Sequence, residues 1–242
     1  MDLTTRLLMG MEDDPRFNAG YGAALQADGK PRLSAALMDG RYQRFSGVIS
    51  VSDVRYPSRL ALALQTHSSR VLTAPGHQTL ARRLNEPVED LVTSHRLEAW
   101  LSKRRETFFD ADTVGALLCN RQGELFAGTS TGGRGFEEPG RVSDSATVAG
   151  NYASLHAAIS ATGIGEQIVD AAVAARIETR VRDGLSLDGA CRKTFEEAQD
   201  LQHNYGWIAC DRQGHWCVAY TSQAMSYVVM DMTGKLLAAS ET

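Results

Sequence analysis

Residues 110–144 read DADTVGALLCNRQGELFAGTSTGGRGFEEPGRVSD and concentrate the side chains best suited to chemistry. Thr113 stands in front of an apolar run. Thr129, Ser130, Thr131, Gly132 and Gly133 make a hydroxyl-rich, glycine-ended turn, and Arg141 and Asp144 lie three apart. A threonine hydroxyl is a weak nucleophile until a base lies beside it. A free α-amino group on the same residue is such a base, with a reference pKa of ~8. An internal threonine gains that amine only if the chain is cut in front of it. The cut would follow attack of the Thr113 hydroxyl on the Asp112 carbonyl and hydrolysis of the resulting ester. Thr113 also suits the first position of a strand, where β-branched residues are favoured.

The neighbouring groups admit two readings each. A hairpin through Asn120-Arg121-Gln122-Gly123 returns the TSTGG turn towards Thr113, so the Thr131 hydroxyl could orient the nucleophile; a solvated strand end would use the same residues. Arg141 could fork a carboxylate while Asp144 accepts from an ammonium, which suits a small zwitterion; the pair would equally serve as a surface salt bridge. Thr162-Gly163 falls where a strand passes into a helix. There a hydroxyl and backbone N–H groups could stabilise an oxyanion, or Thr162 could cap the helix.

The elements that must position these groups can be read from periodicity. A helix is expected over 2–12, with Leu3, Leu7, Leu8 and Met11 at helical spacing and Pro15 ending it. Strands are expected at about 22–27 and 31–37 around an Asp-Gly turn, and at 44–52. Helical spacing follows from Pro57, over 78–84 and over 95–108. After the hairpin at 114–128 come a strand at 155–161, helices over 166–181 and 187–201, and strands at 206–211, 215–221, 226–231 and 235–239. Asp211-Arg212-Gln213-Gly214 repeats the hairpin chemistry of residues 120–123. Strands grouped apart from helices point to antiparallel sheets with helices outside, an α+β class in one domain.

The 242 residues suffice for a sizeable core, and 43% hydrophobic with 22% charged residues is ordinary globular composition. A net charge of −4 with no basic stripe argues against a nucleic-acid partner. No apolar run approaches the ~20 residues of a membrane span. No signal-peptide pattern opens the sequence, and Cys119, Cys191, Cys210 and Cys217 lack CxxC spacing, so free thiols in the cytoplasm are expected.

Taken in order, DTVGALL, GELFAGTSTGG, PGRVSDS, AGNYA and ATGIGE resemble the plant-type asparaginases, or isoaspartyl peptidases, which are N-terminal-nucleophile hydrolases related to the glycosylasparaginases. EDDPRFNAGYGAALQADG and LMDG before them, and YGWIACDRQGHW after them, extend the resemblance over nearly the whole chain. It implies an αββα sandwich. It also implies self-cleavage between Asp112 and Thr113 into an α-subunit (1–112) and a β-subunit (113–242), and a homodimer of αβ units. The implied reaction is hydrolysis of L-asparagine or β-aspartyl dipeptides, with no required cofactor. By position, Thr113 matches the nucleophile and Thr131 the threonine that bonds it. Thr162 and Gly163 match the oxyanion hole, and Arg141, Asp144, Gly163 and Gly165 the substrate contacts. Asn18 matches a loop residue supporting the site. Many members bind sodium there through main-chain carbonyls, here those of Met11, Glu12, Asp14, Phe17, Ala19 and Tyr21. Met1 falls inside the family's first helix, so the expected fold has its N-terminal strand missing, with the HGGAG loop that follows it. Ser34, Ser143 and Asp112 stand where the family commonly has Asp, Gly and Gly, although glycosylasparaginases share the Asp. Two other readings follow: a non-processing homologue that binds aspartate-like ligands, and a glycosylasparaginase.

Overall fold

The computed structural model describes residues 1–103 and 113–240. Helix α1 (Asp2–Asp13) ends as expected at Pro15, with Asp14 in extended geometry (φ −90°, ψ 114°). Its inward face differs from the leucine stripe. Thr4, Thr5, Leu8 and Glu12 are buried, whereas Leu3 and Leu7 are 51% and 47% exposed.

The strand expected at 22–27 does not form. Gly20–Gly22 is a 3-10 turn, and Leu25 makes one isolated bridge to Pro31. The backbone here is committed to loops: Ala24 N–H donates to Asn18 Oδ1, Ala27 N–H to the Glu137 carbonyl, and the Leu25 carbonyl accepts from Phe136 N–H.

Strands β1 (Leu33–Asp39) and β2 (Arg44–Val51) follow, then α2 (Pro57–Ala63), the short β3 (Val71–Leu72), α3 (Gly76–Arg83) and α4 (Ser94–Lys103). Strands β4 (Val114–Cys119) and β5 (Leu125–Thr131) form the central hairpin. The first sheet runs β3-β2-β1-β5-β4. Every residue of β1 and β5 is buried, as expected of strands covered on both faces.

A second, four-stranded sheet runs β6 (Asn151–Ala153), β7 (Ala157–Gly163), β8 (Tyr205–Asp211), β9 (Trp216–Tyr220), antiparallel throughout. The expected helix over 166–181 is two, α5 (Gly165–Ala171) and α6 (Val173–Arg182). Ala172 breaks it at φ 48°, and Ala174 N–H donates to the Ala149 carbonyl, a bond outside the helix. Helix α7 (Leu187–Asp200) starts at Ser186, whose Oγ accepts from Gly189 N–H. Strands β10 (Val228–Met230) and β11 (Leu236–Ala239) form a separate two-stranded sheet among the described residues. The fold is thus mixed α and β; the sheets are antiparallel as expected except where β3 pairs parallel to β2 at the edge of the first. No helix among the described residues is long and apolar enough to cross a membrane.

Helices α1 and α2 pack on the first sheet, α6 and α7 on the second, and β4 and β5 lie against β6, β7 and β8. The outer layers bury large side chains: Leu33, Val48, Leu60 and Leu64 on one side, Ile159, Ile168, Ile177 and Trp207 on the other. Between the sheets the residues are smaller. Ala127, Ala153 and Ala158 touch there, and Thr129 Oγ1 lies 2.7 Å from Ser160 Oγ and 3.1 Å from Asn151 Oδ1. A Cβ on Gly115 would fall 2.3 Å from Ser160 Oγ, so glycine is what lets the two strands approach.

Glu12 ties α1, α2 and β5 together. Its Oε1 accepts from Ser130 Oγ at 2.6 Å and Ser58 N–H at 3.2 Å, and Oε2 from Ser58 Oγ at 2.6 Å. Burial pushes its pKa up to about 7, with the Ser130 and Ser58 bonds opposing. A carboxyl whose folded pKa exceeds its unfolded value favours folding at low pH and loses that contribution as pH rises through the folded value. We therefore expect urea-denaturation stability to fall between pH 5 and pH 8. Glu12→Gln, which keeps the shape and donor of the protonated acid, should abolish about 2 kcal/mol of that fall.

Candidate active site

The β4–β5 register sets Val114 opposite Ser130, so Thr113 arrives opposite Thr131. Thr113 Oγ1 donates to Thr131 Oγ1 at 3.3 Å, and Thr131 Oγ1 also accepts the Gly133 N–H at 3.1 Å. Thr113 is half-buried and Thr131 buried. The hairpin therefore brings the two threonines together as its short turn demands.

Asn18 holds the turn beyond Thr131. Its side-chain amide donates to the Gly133 carbonyl, and its own carbonyl accepts Gly132 N–H at 2.9 Å. A Cβ on Gly132 would lie 2.5 Å from Asn18 Oδ1. The glycines are thus needed for the close approach of the Asn18 loop to the end of β5.

Thr113, Thr131 and Gly133 share a narrow cavity with Arg141, Ser143, Asp144 and Gly163. Asp144 opens a 3-10 turn (Asp144–Ala146) and is 4% exposed. Burial pushes its pKa up to about 7, and the Arg141 guanidinium offsets only part of that. Asp144 Oδ2 is buried and takes no hydrogen bond among the described residues. It lies against Gly150, where a Cβ would fall 2.5 Å from it, whereas Oδ1 is the oxygen beside Gly165. A Cβ on Gly165 would fall 2.5 Å from Arg141 Nη2 and 2.7 Å from Asp144 Oδ1, so the Arg–Asp pair converges over the first residue of α5. Asp144 is buried and the ion pair that Arg141 makes is with Glu166, so the two do not form the exposed pair of a surface salt bridge.

Arg141 has a different partner from the one expected. Its Nε donates to Glu166 Oε1 at 2.9 Å and its Nη2 to Oε2 at 3.1 Å. That bidentate contact holds the Glu166 carboxyl below its usual range. Glu166 was missed in the sequence, although its place just after Gly165, in the first turn of a helix, was a visible signal. Arg134 was missed too; it lines the same cavity and reaches Glu166 at 3.5 Å.

Gly163 lines the cavity with φ 132°, a conformation that favours glycine, and a Cβ there would strike Tyr205 and the Asn204 carbonyl. Thr162 lies one residue earlier, within β7 and opposite Gly206, and is not among the cavity residues. It does not cap α5 either, whose N-cap is Ile164 without a side-chain bond. Asp112 lies outside the described residues.

The Met11–Tyr21 loop offers carbonyl oxygens. Pro15 has no N–H for the Met11 carbonyl, and Arg16 N–H goes to Asp14 Oδ1 at 3.0 Å and not back to Glu12. The Asp14 and Ala19 carbonyls accept from Phe17 and Gly22 N–H. Loose carbonyls at a helix end suit a hard monovalent cation. Among the described residues, no cluster of His, Cys, Asp and Glu suits a metal.

A wider groove of about 580 Å³ lies elsewhere, between the α6–α7 turn and the β8–β9 turn. Its polar groups are occupied by turns and caps: Asp211 accepts from Gln213 N–H, His215 N–H and His215 Nδ1, and Ser186 caps α7. All four cysteines are free.

A family model described as asparaginase matches residues 1–237. An isoaspartyl peptidase/L-asparaginase of Nostoc sp. is 45% identical over 222 residues, covering 84% of this chain and 70% of the relative. One from Synechocystis sp. is 43% identical over 221 residues, covering 85% and 67%. The isoaspartyl peptidase of Escherichia coli is 33% identical over 246 residues, covering 93% and 77%. The match runs through both threonines, the Arg–Asp pair and the glycines that let them converge: the chain belongs to the asparaginase family.

Proposed function

We propose that this chain is a self-cleaving N-terminal-threonine amidohydrolase that converts L-asparagine, β-aspartyl dipeptides or both to L-aspartate. The observation that carries the reading is the 3.3 Å hydrogen bond from Thr113 to Thr131 in a cavity that also holds Arg141 and Asp144. The names of the 43–45% identical relatives support the substrate class.

Cutting before Thr113 gives its α-amine, which takes the Oγ proton as Oγ attacks the side-chain carbonyl carbon of the substrate. Thr131 holds Oγ in line, with its own oxygen fixed by Gly133 N–H. The oxyanion is stabilised by the Gly163 N–H at the cavity wall; Thr162, which does not line the cavity, matches the family's second donor by position only. The tetrahedral intermediate collapses, and ammonia or an amino acid leaves with the proton held on the amine. Water then adds to the acyl ester and releases aspartate. Arg141 takes the α-carboxylate, Asp144 the α-ammonium, and Gly165 leaves room for both.

On this reading residues 1–112 and 113–242 are the α- and β-subunits of one asparaginase-like domain. The packing of helices outside two facing sheets supports an αββα sandwich, and the expected quaternary state is a homodimer of αβ units in the cytoplasm. No cofactor takes part. Sodium, when bound to carbonyls of Met11, Glu12, Asp14, Phe17, Ala19 and Tyr21, would supply a fixed charge that orders the loop carrying Asn18.

Intact-mass measurement tests processing. Wild-type protein is expected to resolve into fragments 1–112 and 113–242, and Thr113→Ala to stay whole and inactive; a wild-type chain still whole after long incubation sinks the mechanism. The Asp144 carboxyl gives a second check. It is neutral below about 7 and ionised above, so kcat/KM should decline as pH falls through that value. Asp144→Asn should lower kcat/KM by about tenfold or more at pH 8 and flatten this limb, since an ammonium loses its charged partner.

A further inference from the structure

The chemistry at Thr113 leaves the free thiols unused, and two of them meet outside the site. Cys191 lies in the second turn of α7 and Cys217 near the start of β9. The β8–β9 register sets Cys217 opposite Ala209 and Ala219 opposite Trp207. Side chains two apart on a strand share a face, so Cys217 joins Trp207, Ala209 and Ala219 on one side of the sheet. Cys191 packs into that same cluster from the helix. Trp207 is fully buried, and its indole N–H donates to Cys191 Sγ at 3.4 Å. With its sulfur accepting from Trp207, the Cys191 S–H is left to donate, and its acceptor is Cys217. That bond holds the Cys217 thiol below its ordinary pKa and, together with burial, pushes Cys191 up. The other two thiols are placed differently. Cys119 Sγ lies 3.7 Å from the Asn120 carbonyl and 3.9 Å from that of Arg212, and burial pushes both Cys119 and Cys210 up. Cys217 is only half-buried, whereas Cys191 is buried. The groove of about 580 Å³ opens beside the pair: Leu187 and Asp188, one helical turn before Cys191, and Trp216, next to Cys217, line it.

We infer that Cys191 and Cys217 form a modification site, a dithiol that a small-molecule disulfide converts reversibly to an intramolecular disulfide. Cys217, the more accessible, attacks as its thiolate and breaks the S–S bond of the small disulfide. A mixed disulfide forms on Cys217, and the first small thiolate leaves and takes up the proton that Cys217 lost. Cys191 then gives up its proton and attacks the Cys217 sulfur, expelling the second small thiolate, which takes that proton. Two protein thiols are oxidised and one small disulfide is reduced to two thiols. The closed bond ties the edge strand β9 to α7.

The test treats native wild-type protein with excess oxidised glutathione, quenches with acid and maps peptides without reductant. The fragment 113–242, or the whole chain where it is uncut, is expected to become two hydrogen masses lighter. A peptide pair joining Cys191 to Cys217 should appear, and dithiothreitol should reverse both changes. Cys191→Ser, whose hydroxyl still accepts from Trp207, should stop at a glutathione adduct on Cys217, and Cys217→Ser should give neither product. The wild-type map is decisive even if a variant misfolds. No bond between these two residues, a bond that uses Cys119 or Cys210 in place of either, or a wild-type adduct on Cys217 that never closes overturns the inference. None of these outcomes bears on the hydrolase reading, which stands or falls on the cut before Thr113.

Discussion

The contact between the two sheets governs the rest of the structure. Its inner surface sets Gly115, Ala127, Ala153 and Ala158 beside the larger Met38 and Leu125, with Thr129, Ser160 and Asn151 bonded across it one layer below Thr113 and Thr131. Small side chains allow the strands to come close, and the buried hydroxyls bond one another. Because β7 carries Gly163 and β5 carries Thr131, the depth of this layer fixes how far the two stand apart across the cavity. A methyl group added at Gly115 would press on Ser160 and shift one set against the other.

Two of the buried carboxyls stand out electrostatically. Glu12 and Asp144 are both pushed up to about 7 by burial, for different ends. Glu12 has its lone pairs taken by Ser58 and Ser130 and acts as a fastener. Asp144 keeps one oxygen unbonded among the described residues, and its other oxygen stands beside Gly165 where Arg141 converges. Hydrogen-bond satisfaction, and not the shared pKa, separates the structural acid from the candidate binding one.

The parts of the site legible in the sequence were those fixed locally. The four-residue turn after Cys119 forces Thr131 back to Thr113, and glycines mark close approaches that leave no room for a Cβ: of backbone at 132 and 163, of charged side chains at 133 and 165. What the sequence hid depends on contacts made at long range. Glu166 and Arg134 look like ordinary surface charges until α5 folds over the end of β5. Leu3 and Leu7 have the spacing of a core stripe, yet the turned-in face of α1 holds Thr4, Thr5 and a carboxylic acid. The helix break at Ala172 follows from a bond to Ala149, which no local propensity encodes. The missing strand at 22–27 likewise reflects backbone partners in a loop more than a hundred residues later.

The sheet order has a consequence for a chain severed before Thr113. Strand β5, from the downstream piece, lies between β4 and β1, and β1 belongs to the upstream piece. Six residue pairs, Ser34 with Thr131 through Asp39 with Phe126, would then join two separate polypeptides in the middle of a continuous sheet. Severing the bond would not part the pieces, because β1 and β5 stay paired and two core clusters draw residues from both pieces. Folding, however, would change its molecularity: unimolecular before the cut, bimolecular after it. A processed molecule that unfolds has to find its other half by diffusion, so the cut makes the native state a history-dependent one, reached readily only through the intact precursor.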